Sequence, residues 1–168
     1  MRSANGETPA IRSALGLLVL LFAFSGPATS TEDMEPREGW AVRPTASSFE
    51  TLVDRTRDAV RANGLIVVTQ AGPTKAAAKR GIKIPGNLVI GVFNNDFAVR
   101  VLELSTAAMI EAPIRLYLTE NADGTATLSY KTPSHVFAPY IAESGAGLFD
   151  ISAQLDDLFE TIAKEATR

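Results

Sequence analysis

Residues 114–131 read "IRLYLTENADGTATLSYK", and this stretch decides the fold. Ile114, Leu116 and Leu118 alternate with Arg115, Tyr117 and Thr119, the two-residue period of a strand with one buried face. Asp123-Gly124 then supplies the residues of a tight turn, and Ala126, Leu128 and Tyr130 alternate back. Two strands joined this closely must be antiparallel. The sheet is therefore expected to bury one face and leave the other more polar.

Working outward, "NLVIGVF" (87–93) and "LIVVTQ" (65–70) are short β-branched runs bounded by Gly and Pro, which marks two further strands. "GWAVRPTAS" (39–47) is a short extended opening. Between it and the next strand, Phe49, Leu52, Val53, Thr56, Ala59 and Val60 recur at helical spacing. Ser47 and Glu50 fit a capping box, and Asn63-Gly64 a left-handed stop. "TKAAAKR" (74–80) reads as a short helix. A further helix from about Asp96 is expected to turn Phe97, Ala98, Val101, Leu102 and Leu104 inward. "TPSHVFAPY" (132–140) reads as irregular. The final helix has the stripe Leu148, Ile151, Leu155, Leu158, Phe159 and Ile162, with Asp150 placed as its cap. The expected fold is a two-layer α+β domain of strand-helix-four strands-helix order. Its mainly antiparallel sheet packs against the long C-terminal helix, and short helices are inserted between strands.

The N-terminus has Arg2 and Arg12, the apolar run Ala14–Phe24 and the small-residue stretch "SGPATS" (25–30). That order is a secretory signal peptide, because the apolar run is well short of the about 20 residues a spanning helix needs. Residues 1–30 are read as the signal, cleaved near Ser30, 31–39 as a tether, and 40–168 as one domain. The mature chain would be periplasmic or secreted, touching membrane only through its signal. Of the 16 basic and 19 acidic residues, two and one lie in the signal, which leaves 14 against 18 and a net charge of −4. Such a balance argues against a nucleic-acid binder, which needs excess cations to displace counterions from phosphates. With no cysteine there is no disulfide framework, so stability must come from an ordinary core.

Three segments resemble, in their order and spacing, the bacterial and archaeal domain of unknown function numbered 302. They are "FETLVDRTRDAVRANGLIVV" (49–68), "AAAKRGIKIPGNLVIGVFNN" (76–95) and "APIRLYLTENADGTATLSYKTPSHVFAPY" (112–140). The resemblance implies an antiparallel sheet against a long C-terminal helix, assembled as a dimer, and it assigns no activity. The chain departs from the family pattern at Asn94-Asn95, where many relatives have Asn-Pro. It departs again at "TQAGP" (69–73), where many have a histidine.

Few side chains offer chemistry. His135 is the one histidine, and with no cysteine and no G-x-S-x-G elbow it has no visible nucleophile to serve. It cannot complete a structural zinc site of the usual kind either. Asn121-Ala122-Asp123-Gly124 lacks the ligand series of a calcium loop. Lys75, Lys79, Arg80 and Lys83 form the one basic cluster, without phosphate-loop spacing, and read as a solvated helix face. Asn94-Asn95-Asp96 stands where a strand yields to a helix, so it reads as a cap, although a helix start also suits an anion. Tyr117 and Tyr130 could line a cleft or pack across strands. Asn94, Asp96, Tyr117, Tyr130 and His135 are thus the candidate ligand-binding residues, with no catalytic or metal-binding set and no cofactor. The expected function is non-catalytic binding of a small amphipathic molecule or an envelope partner. A structural homodimer without a small ligand and an enzyme using His135 are the alternatives.

Overall fold

In the computed structural model, residues 33–168 are described; the signal expected at 1–30 and the first two tether residues lie outside them. The five strands are β1 (Trp40–Thr45), β2 (Ile66–Ala71), β3 (Asn87–Phe93), β4 (Ile114–Glu120) and β5 (Ala126–Lys131). They form one sheet in the order β1-β5-β4-β3-β2, antiparallel at every pairing. The hairpin reading holds, with Leu118 opposite Leu128 and Tyr117 opposite Ser129.

β1 and β2 are the two edges, so the helix that joins them, α1 (Phe49–Ala62), must cross a face of the sheet. It crosses beside the C-terminal helix α6 (Ala146–Ala166). Leu52, Val53, Ala59 and Val60 of α1 and Phe159, Ile162, Ala163 and Ala166 of α6 interdigitate with the sheet residues Ile90, Leu116, Leu118 and Leu128. Phe159 is fully buried and its ring lies 5.4 Å from that of Tyr130. Side chains of this size each contribute about 1.5–3 kcal/mol by leaving water, so this layer supplies most of the stability. A second cluster joins the N-terminal half of α6 to the helices α3 (Asn95–Leu104) and α4 (Pro133–Phe137) through Val101, Phe137, Leu148 and Leu155. Short helices α2 (Thr74–Lys79) and α5 (Ile141–Ser144) complete the chain. No helix among the described residues is long and apolar enough to cross a membrane.

Four local expectations are corrected. The oxygen that caps α1 is that of Ser48, which accepts from the Thr51 N–H at 3.3 Å, one residue beyond the expected capping box. In α3 only Val101 is fully buried, while Leu102 and Leu104 remain 51% and 39% exposed, because the helix meets α6 along a narrow stripe. The "TPSHVFAPY" segment is helical: Thr132 accepts from the His135 N–H, and Pro133, which has no N–H to leave unpaired, takes the first helical position. Finally, α6 starts at Ala146, after Gly145 at φ +67°, and Asp150 is not its cap.

Candidate functional site

Since α1 and α6 cover one face, the alternate residues of the strands point the other way. Trp40, Val42, Asn87, Val89 and Tyr117 are half-buried there, and Arg115 and Lys131 are exposed. The register sets them in rows: Trp40 beside Lys131, Val89 beside Tyr117, and Gly91 beside Arg115. A groove of about 460 Å³ opens on this face, walled also by Ile114, Val136 and Glu111. Its lining is largely apolar with a few converging polar groups, the usual make-up of a small-molecule site.

Asn87 Nδ2 donates to the Tyr117 hydroxyl oxygen at 2.6 Å, which fixes the phenol and leaves its own O–H free to donate. The Trp40 ring is flanked by Arg37 and Lys131, each 5.9 Å from its centre. Glu111 accepts from the Tyr140 hydroxyl at 2.8 Å, and that hydrogen bond, with some desolvation, raises the Tyr140 pKa above its ordinary value. Among the described residues neither Arg115 nor Lys131 forms an ion pair.

The structure separates the residues singled out from sequence. Tyr117 and Tyr130 both line the groove, but their side chains leave the sheet on opposite faces, and the Tyr130 ring packs toward Phe159. Asn94 is a helix cap: its Oδ1 accepts from the N–H groups of Asp96 and Phe97 at 2.9 and 3.1 Å, and its Nδ2 donates to the Gly64 carbonyl at 2.9 Å. Asp96 is exposed in the first turn of α3, where its charge suits the helix dipole. His135 is exposed, and its ring lies against Gly39, where an added Cβ would overlap it. The imidazole makes no hydrogen bond among the described residues. Tyr140, Tyr130 and Asp156 have other partners: the Tyr140 hydroxyl donates to Glu111, the Tyr130 hydroxyl to Glu160, and Asp156 accepts from the Ser134 N–H. No group of three His, Asp or Glu residues that could hold a metal ion occurs among the described residues.

One polar cluster escaped the sequence reading. Arg43 of β1 points to the helix side and bonds both oxygens of Glu160 at 2.5 and 2.6 Å, with Lys164 at 3.1 Å. Burial opposes the charge on Glu160, but Arg43 and Lys164 outweigh it and hold the carboxyl below its ordinary pKa. The Tyr130 hydroxyl donates to the same carboxylate at 3.4 Å, and burial together with that negative charge pushes its pKa up to about 12. The cluster closes the β1 edge of the core. Its one signal in the sequence is an arginine at the inward phase of an edge strand, two residues after Ala41.

No curated protein matches the chain. The crystal structure of an uncharacterized conserved protein of Bacillus stearothermophilus, described as DUF302, superposes with a TM-score of 0.68 at 16% identity, covering 79% of this chain and all of that one. At that identity the likeness concerns the fold. The model of the family described as "Domain of unknown function DUF302" matches residues 41–164. Those residues run from the first strand almost to the end of α6, and the chain belongs to the DUF302 family.

Proposed function

We propose that this is an exported, non-catalytic binding domain that holds a small amphipathic molecule on its open sheet face. The observation that carries the reading is the groove of about 460 Å³ beside Trp40, Val89 and Tyr117. Its volume falls within the about 300–1,000 Å³ of sites that take drug-sized ligands. Export is supported by the charged, apolar and small-residue order of residues 2–30. The non-catalytic part is supported by the lone imidazole, which among the described residues has neither an orienting acid nor a nucleophile in hydrogen bond with it. Native mass spectrometry of the mature chain recovered from periplasmic extract tests this. A retained guest is expected on the wild type and should be lost from Val89→Trp, which fills the groove. A guest kept equally by both chains, or none on either, would contradict it.

A second reading has an observation of its own. The edge strand β2 carries no charged residue and no proline, and Ile66 and Val68 are 57% and 46% exposed. Such an edge can pair with another strand, from an envelope partner or a second copy. The register shift between Val67 and Thr69 blunts it, which is why the groove ranks first. Sedimentation equilibrium of wild type against Val68→Lys distinguishes them: an assembly that dissociates on adding the charge supports edge pairing, and a monomer in both refutes a self-pairing edge.

A further inference from the structure

We propose that the guest is an organic anion, its charged end held between Arg115 and Lys131 and its apolar body laid against Trp40 and Val89. This rests on the reading of the open face as the binding surface and adds the chemical class of what binds there.

Charge carries the argument. From sequence, the mature chain is net acidic, yet this groove gathers Arg115 and Lys131 on its wall, with Arg37 behind the Trp40 ring. Each of the four salt bridges among the described residues uses another cation: Arg43, Arg57, Arg61 or Lys164. Among the described residues the two groove cations are thus left without an ion-pair partner, in a protein that has more carboxylates than cations. The one acid on the wall, Glu111, already accepts a hydrogen bond from Tyr140. The Tyr117 hydroxyl points the same way. Its oxygen is occupied by Asn87 Nδ2, so what it still offers a guest is a proton, the group an anionic oxygen accepts. Two cations and one free donor therefore face one carboxylate, one oxygen of which is already held by Tyr140, so the wall carries a net positive charge that favours an anionic guest over a cationic one. The body of the guest follows from Trp40, whose ring is the largest apolar surface on the wall and suits a flat, apolar molecule.

Trp40 is the one tryptophan in the chain and lines this groove, so energy transfer from it reports a bound dye, and a variant that fills the groove localises it. The test uses two dyes with the same aromatic body, 8-anilinonaphthalene-1-sulfonate, an anion, and N-phenyl-1-naphthylamine, which is neutral. Arg115→Gln and Lys131→Gln, both at exposed positions, should each weaken the sulfonate by roughly three- to fivefold, the upper part of the range of solvent-exposed charge pairs. Neither should move the neutral dye by more than about twofold, and added salt should weaken only the sulfonate. If both dyes bind, Val89→Phe, which fills the groove without a second tryptophan, displaces both, and the charge variants leave the sulfonate unchanged, the anion inference falls while the groove reading stands. Should neither dye quench Trp40, or both survive Val89→Phe, the groove reading falls and takes the inference with it. Thermal melts of each variant confirm that the chain compared is folded.

Discussion

Replacing Asn94 by Ala decides between a cap and a ligand-gripping residue. The side chain makes three hydrogen bonds, two accepted from the Asp96 and Phe97 N–H groups and one donated to the Gly64 carbonyl. Removing a good N-cap costs about 1 kcal/mol. Losing the bond to Gly64, which ties the end of α1 to the start of α3, adds about 1 kcal/mol more. The carbonyl is reachable by water, so no further burial penalty applies. For a domain of this size each kcal/mol lowers Tm by roughly 4 °C, which gives a fall of roughly 8 °C for Asn94→Ala. Asn94→Asp keeps the acceptor and loses only the donor, so roughly half that fall is expected. Differential scanning calorimetry without any ligand reads both. Dye binding at Trp40 should not change, because Asn94 does not line that groove. An Asn94→Ala chain that melts with the wild type but loses its guest would refute the capping argument.

Phe159→Ala removes the largest fully buried side chain and should cost about 4 kcal/mol, read as a lowered urea midpoint; Phe159→Leu should recover most of it. The Tyr130 pKa of about 12 lies above the unfolded value near 10, so its contribution to stability is present below pH 10 and is lost as pH rises toward 12. Alkaline melts should therefore fall more steeply for the wild type than for Tyr130→Phe, and parallel curves would contradict the burial of that hydroxyl. The depressed Glu160 pKa acts in the acid range: its contribution is present above the ordinary carboxylate pKa and disappears as pH falls through the lowered value, so Glu160→Gln should flatten the acid limb. Gly39 has φ +70° and lies under the His135 ring, so Gly39→Ala should destabilise by about 1–3 kcal/mol. Adding His135→Ala should relieve the overlap but not the backbone strain, leaving the double variant between the two extremes.

The hairpin was legible because its alternation is uninterrupted from Ile114 to Thr119 and again from Ala126 to Tyr130, and period two has one structural meaning. Helices α1 and α6 were legible for the same reason at period 3.6. Where a segment depends on one side chain finding one partner, local pattern fails. The helical turn at Pro133 rests on Thr132, the start of α6 on a glycine at positive φ, and the outward tilt of Leu102 on how α3 meets α6. The site was half legible. Tyr117 could be placed on the face opposite Leu116 and Leu118, but its partner Asn87 is 30 residues away and on another strand. Trp40, Arg115 and Lys131 were visible as residues and not as a group, since β1 reaches β5 only through the completed sheet. His135 looked distinctive because it is the one histidine, and rarity in composition carries no geometry.

The measurement closest to the central claim is a ¹H–¹⁵N shift map of residues 31–168 titrated with 8-anilinonaphthalene-1-sulfonate. Changes should concentrate at the Trp40 indole and the amides of Val89, Arg115, Tyr117 and Lys131, with the amides of α1 and the C-terminal half of α6 unmoved. Changes centred on those helices instead, or spread evenly over the domain, would show that the open face of the sheet is not where this protein binds.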